Sequence, residues 1–347
     1  MRCACCKGRR ERMTIIYAII MFCLLIFIHE LGHFMAAKAC GVKVNEFALG
    51  MGPAFFKKQK GETLYSLRIL PIGGFCAMEG EDEESEDARA FNKKPAWKRA
   101  IIVVAGAAMN LLLCILIMVI ISMCTGTMTT TIDKVVDGSP AAKAGLHSGD
   151  EITDIDGKPV TEWTDITTYI SEARRQTRIN IKRNERRLSL VSELSQTEDG
   201  RQVIGIEPMR THNPFIAIKA GSINTWNMTK LMGRTIKQLF TGEVSTKELT
   251  GPVGIVYAVN DTAQYGIMYL LYLTALISLN LAIVNMLPLP ALDGGRLLFI
   301  IIRQFTGRAI NDDMEGKIHL VGLMLLFALM IYVTWNDIIR FIVPIFN

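Results

Sequence analysis

Four stretches of this chain are apolar over the length a helix needs to cross a bilayer, about 20 residues, and no other feature narrows its possible folds as much. They are residues 13–37, 100–124, 266–287 and 318–342. Half of the 347 residues are hydrophobic and the mean hydropathy is positive, at +0.29, which is rare for a soluble globular chain of this size. The stretch 100–124 is the cleanest, with Asn110 its only amide, whereas 13–37 carries His29, Glu30 and His33 inside its apolar run. The third holds Asn280 and Asn285, and the fourth stays apolar up to Trp335. Basic residues precede the first stretch as in a secretory signal, but no small-residue cleavage site follows, and its internal charges argue for retention.

Charge and cysteine content exclude other classes. The net charge of +5 is spread along the chain and makes no case for nucleic acid. Eight cysteines do not make a disulfide scaffold in a chain this long. Cys23, Cys114 and Cys124 lie in apolar runs, where a thiol packs as a small hydrophobe. Cys3, Cys5 and Cys6 cluster in the basic tail 1–12 without the partners a zinc ribbon needs.

Between the first two spans, residues 38–99 are mixed. Tyr65–Ile69 alternates like a strand, and Pro71, Gly73 and Gly74 predict a turn before Phe75–Met78, together a hairpin near the membrane. The acidic run Glu79–Asp87 reads as a solvated loop. Residues 127–210 are the one sizeable soluble domain. Strands are expected at Ile132–Val136, Glu151–Ile155, Arg178–Arg183, Arg187–Glu193 and Gln202–Ile206, with a one-turn helix from Ser139–Pro140 to Gly145 and a longer helix near Glu162–Ala173. Asp156–Gly157 is a hairpin signal. The run from Ser139 to Gly157 resembles a PDZ domain of the bacterial protease type, a module that binds extended peptides at a sheet edge. Ile204–Ile206 is the expected edge of that groove, and Arg174, Arg175, Lys182, Arg183, Arg186 and Arg187 are expected to form a solvated face. Within 213–262, Phe215–Phe240 suits an amphipathic helix at the membrane surface with Trp226 as its anchor.

The chemistry is concentrated in His29-Glu-Leu-Gly-His33. Residues four apart share one face of a helix, so both imidazoles can reach one metal, and Glu30 beside them is placed for acid/base work. Zinc suits such a site. Each ionisable group mid-span costs about 2.5–3.5 kcal/mol on insertion scales, so three at ligand spacing argue for function rather than packing. A catalytic zinc takes a third protein ligand. Asp293, in the segment 288–317 after the third span, is the best candidate, because Pro288 and Pro290 prevent a regular helix before it.

These motifs resemble the site-2 protease family of intramembrane zinc metalloproteases, in its bacterial branch with four spans and one PDZ insert. The matching residues are His29-Glu-x-x-His33, Phe47-Ala-Leu-Gly50, Tyr65-Ser-Leu-Arg68, Pro71-x-Gly-Gly74, Gly251-Pro-Val-Gly-Ile255 and Leu292-Asp-Gly294, in the family's order. The resemblance implies a polytopic α-helical membrane protein with an inserted α+β PDZ domain and a membrane-associated β-hairpin. It also implies Zn2+ as cofactor and cleavage of single-span membrane proteins, such as anti-sigma factors or remnant signal peptides, after a first protease has trimmed them. By the same resemblance Asn285 and Pro290 contact the unwound substrate, and the hairpin around Gly73 and Gly74 guides it. The family's second span usually reads Ala-Gly-Pro-x-x-Asn, whereas Ala105-Gly-Ala-Ala-Met-Asn110 lacks the proline.

Lysine and arginine are abundant in 38–99 and recur at Arg296, Arg303, Arg308 and Lys317, which predicts cytoplasmic loops and an extracytoplasmic PDZ domain. The basic tail 1–12 conflicts with that orientation, a conflict that translation from Met13 removes; acylation of its cysteines is the weaker alternative. Two rival classes are a silent PDZ scaffold and an ion-coupled transporter. The complete set His29, Glu30, His33 and Asp293 argues against the first, and the absence of internal repeats against the second.

Overall fold

Leucine, isoleucine and methionine face outward along four helices long and apolar enough to cross a membrane. In the computed structural model these spans are Thr14–Ala39, Ala96–Thr125, Ile267–Asn285 and Met314–Phe341. The structure describes residues 4–81, 85–173, 175–197, 200–243, 250–306 and 312–343. Cys3 and the arginines 174 and 308 lie outside the described residues. The chain forms two units, one of residues 1–118 with 222–347 and one of residues 119–221.

In the first unit, α1 (Ala4–Ala39) and α2 (Ala96–Thr125) approach so closely that a Cβ on Gly32 would sit 2.3 Å from the Ala105 carbonyl oxygen. Small residues at such a crossing replace hydrophobic attraction, which lipid does not supply. Between them run β1 (Val44–Lys60) and β2 (Thr63–Met78). One sharp turn falls at Gly61 (φ +62°), outside the stretch where the sequence placed its turn. Both strands are long and bent, so Ala48 lies beside Ser66 on one side and Phe75 on the other. Between Leu67 and Gly74 the chain reverses a second time, at the stretch that Pro71, Gly73 and Gly74 mark in the sequence: 64–67 ascend in step with 46–49 whereas 74–78 run against 44–49, with Gly50 and Gly73 in left-handed conformations. Phe47 anchors the hairpin against α1, its ring centroid 5.2 Å from that of Phe34.

The acidic run is not wholly a solvated loop. Glu79 is bound by Ser85, Asn45 and Lys43, which together hold its carboxyl down at about 2, and Glu81 pairs with Arg296. Residues 82–84 lie outside the described residues.

The second unit is a sheet over an isoleucine core. Its strands are β3 (Thr127–Val135), β4 (Glu151–Ile155), β5 (Lys158–Pro159), β6 (Gln176–Arg183), β7 (Arg186–Glu193) and β10 (Ile206–Thr211), in the order β10-β3-β4-β6-β7 with β5 on β4. Two short strands, β8 (Ser195–Gln196) and β9 (Gln202–Val203), pair separately. Helices α3 (Pro140–Lys143) and α4 (Trp163–Glu172) complete it. Ile132, Ile152, Ile155, Ile166, Ile179, Ile181 and Ile204 are all buried in one cluster. The single last strand read over 202–206 is two, because Gly205 (φ +82°) breaks it. The Ile204 and Gly205 carbonyls accept from Ala141 and Val136 N–H, so the free edges of the sheet are β10 and β7. Arg183 is no solvated cation: its guanidinium donates to both oxygens of the buried Asp150.

The rest of the first unit is helical. Helix α5 (Pro214–Thr241) exposes Trp226, and its Thr225 lies 3.8 Å from the Cys114 thiol. Helices α6 (Pro252–Ala263) and α7 (Ile267–Asn285) follow. The segment 288–317 is not one loop: residues after the prolines form α8 (Asp293–Thr306). Its Ile300 joins the cluster of Ala37, Val44 and Ile102, and that burial is what makes the segment helical. Helix α9 (Asp312–Asp337) ends in a π-helical turn, Ile338–Ile342.

Candidate metal centre and its cavity

His29 and His33 sit one turn apart on α1, buried, with ring centroids 4.8 Å apart. Asp293 comes from the other end of the unit's chain, as the first residue of α8. Gly294 and Gly295 make that placement possible. A Cβ on Gly294 would lie 2.2 Å from the Leu287 carbonyl oxygen, and one on Gly295 2.3 Å from that of Leu289. The first turn of α8 can thus pack directly on the backbone of the preceding loop. Ala291 holds a left-handed conformation there (φ +71°), and its N–H donates to His319 Nδ1 of α9 at 2.9 Å.

Three ligand atoms converge. His29 Nε2 and His33 Nε2 are 3.2 Å apart, and Asp293 Oδ2 lies 3.3 Å from the first and 3.4 Å from the second. That oxygen is buried and makes no hydrogen bond. His33 Nδ1 faces the Ile102 carbonyl oxygen at 2.9 Å. A carbonyl only accepts, so the proton belongs on Nδ1 and Nε2 presents a lone pair. Two imidazole nitrogens and a carboxylate oxygen meeting at one buried point make a donor set that fits a divalent metal of the zinc type.

The centre opens into a cavity of about 820 Å³, lined also by Glu30, Gly74, Phe75, Cys76, Glu81 and Arg296. Gly74 keeps the hairpin close: a Cβ there would meet Glu30 Cγ at 3.2 Å. Of the residues that resemblance assigned to substrate, Gly74 therefore lines the cavity. Gly73 packs toward Met51, Asn285 ends α7, and Pro290 lies against Gly322 of α9; these three do not line it. Sequence reasoning missed Ile102, Gly106 and Asn110 as neighbours of the histidines, although the spacing Gly106-x-x-x-Asn110 on one helix face was a usable signal.

Residues 17–329 match the family described as Peptidase family M50. A protein of Clostridium acetobutylicum, provisionally named a zinc metalloprotease, is 38% identical over 331 residues, 94% of this chain and 97% of its own length. The regulator of sigma-W protease RasP of Bacillus subtilis is 31% identical, again over 94% of this chain and 98% of its own. That alignment runs to 415 positions, more than this chain has, so RasP carries internal segments that are absent here. Among solved structures, the PDZ domain of an SdrC-like protein from Listeria monocytogenes is 29% identical, covering 24% of this chain and 87% of its own, with a TM-score of 0.21.

Four apolar spans and a cluster of two buried histidines and a carboxylate define a multi-pass membrane metalloprotease. The chain belongs to peptidase family M50, the site-2 class of zinc metalloproteases.

Proposed function

We propose that the chain is an intramembrane zinc endopeptidase in which His29, His33 and Asp293 hold the metal and Glu30 is the general base and acid. The observation that carries this is the convergence of the three ligand atoms at 3.2–3.4 Å from elements some 260 residues apart in sequence. When bound, zinc acidifies water and polarises the scissile carbonyl. Glu30, on the cavity wall beside both histidines, takes the proton of the attacking water and returns it to the leaving amine.

The substrates we propose are single-span membrane proteins, anti-sigma factors or remnant signal peptides, already trimmed by a first protease. The sigma-W regulator among the relatives supports the first of these. A transmembrane helix hides its peptide groups in its own hydrogen bonds, so the substrate must unwind before cleavage. The bent hairpin at Gly73 and Gly74, with Asn285 and Pro290 across the chain, is proposed to hold the extended strand. In the orientation set by lysine and arginine, the cavity opens toward the cytoplasm and the PDZ domain lies outside. There β10 offers a free edge for an extended peptide or a new C-terminus; a size filter is the alternative use of the same domain.

Comparative membrane proteomics of cells carrying wild type or Glu30→Gln tests the proposal. Short membrane stubs should accumulate only with the variant, while the purified variant keeps its zinc. Identical stub profiles would overturn it.

A further inference from the structure

Helix α2 presents a strip of three residues, one turn apart, to the metal centre: Ile102, Gly106 and Asn110. The Ile102 carbonyl oxygen takes His33 Nδ1 at 2.9 Å. Gly106 leaves room for the rings, since a Cβ there would stand 2.3 Å from His33 Nε2 and 2.8 Å from His29 Cε1. Asn110 is 0% exposed, and its side-chain Nδ2 lies 3.3 Å from His29 Nδ1. Its carboxamide oxygen is buried without a partner, while its backbone carbonyl accepts from Ser278 Oγ at 2.7 Å.

The two histidines thus face different kinds of group. A carbonyl oxygen fixes the tautomer of His33, because it can only accept. A carboxamide can either donate or accept, and a half-turn about its last bond exchanges the two. With its nitrogen toward His29, Asn110 donates to Nδ1 and forces the ring proton onto Nε2, the atom that points at Asp293 and His33. With its oxygen there, Asn110 accepts from Nδ1–H, and Nε2 keeps the lone pair that a metal needs.

We infer that Asn110 is the positioning residue of His29: its carboxamide oxygen accepts the Nδ1 proton and so selects the metal-binding tautomer, as the Ile102 carbonyl does for His33. The inference rests on the reading of His29, His33 and Asp293 as ligands. It also explains the spacing from Gly106 to Asn110. One turn of helix separates the gap that admits the rings from the amide that orients one of them.

Full-length protein purified in detergent tests this by competition against a zinc chelator and by the visible spectrum of the cobalt-substituted form. Asn110→Leu keeps the volume but removes the acceptor and should weaken zinc binding about 10–100-fold. Asn110→Asp keeps an acceptor and should stay within a few-fold of wild type, with an unchanged cobalt spectrum. Equal affinity in Asn110→Leu and wild type would overturn the inference. If the leucine variant does not fold, Asn110→Asp decides alone, and a tenfold loss of affinity or an altered cobalt spectrum there overturns it. A wild-type protein that binds no zinc would instead sink the assignment of the centre itself.

Discussion

Asp293 is the residue on which the proposed centre depends most, because its carboxylate brings α8 within 3.4 Å of both histidines of α1. Asp293→Ala leaves two imidazoles, too few to hold zinc against dilution. Zinc measured by plasma emission on purified protein should fall from near one per chain to a small fraction, as it should for His33→Ala. His319 acts one step further back. Its Nδ1 holds the Ala291 N–H, two residues before Asp293, in a left-handed conformation that costs an alanine about 1–2 kcal/mol. His319→Phe should therefore loosen the loop and lower zinc affinity several-fold without unfolding the spans, as chelator competition will report. Sequence alone located His29, Glu30 and His33 because their spacing is local to one helix. It reached Asp293 only through the prolines and glycines around it and offered Asn110 only as a motif residue; His319 left no signal, because its bond to Ala291 exists only as a distance between elements.

Elements are held in register by buried polar groups at their ends. The carboxylate of Asp337, at the end of α9, accepts the N–H groups of Gly251 and Gly254 at 3.0 and 2.8 Å. It thereby caps α6, where an anion also meets the positive end of the helix dipole. Both glycines are needed, since a Cβ on either would crowd Asp337 at 2.9–3.0 Å. This gives the Gly251-Pro-Val-Gly254 motif a structural reason that its sequence did not disclose. Asp337→Ala strands two buried donors at about 1–3 kcal/mol each, and should lower the melting temperature in detergent by several degrees while leaving zinc bound. In the second unit, burial raises the Asp150 carboxyl, but the Arg183 guanidinium and the His147 N–H hold it below the usual range. A carboxyl depressed on folding stabilises the fold above the ordinary carboxylate range and loses that contribution as pH falls through the folded value. Hydrogen exchange of β4 and β6 should thus quicken below about pH 4 in wild type; Asp150→Asn should be faster already at neutral pH and less sensitive to acid. The strands of this unit were readable from alternation and from Asp156–Gly157. The two-sided pairing of β1 was not, because one strand pairing twice leaves no mark in a period-two pattern.

At the scale of the whole molecule, two kinds of solvent are written into one chain. Spans that expose isoleucine, leucine and methionine are stable only in lipid, and one of them carries two histidines and a glutamate that lipid disfavours. The cavity reconciles these demands by giving the polar groups one another and a place for a cation. The unit of residues 119–221 has its own isoleucine core, and none of the three candidate ligands lies in it. Deleting 127–210 should accordingly leave zinc content unchanged while altering which substrates are cut, as parallel metal analysis and stub proteomics will show. The order of spans and insert was legible from hydropathy and a few motifs; which residues brace the centre was not, since that depends on helix crossings such as Gly32 on Ala105. The most direct measurement is the position of the cut. Purified wild-type protein is incubated in detergent or liposomes with a single-span reporter, and the products are mapped by mass spectrometry. Cleavage inside the reporter's apolar segment, abolished by chelator and by Glu30→Gln, is the predicted result. Cleavage confined to its soluble flanks, or undiminished in Glu30→Gln, would contradict an intramembrane zinc centre built on His29, His33 and Asp293.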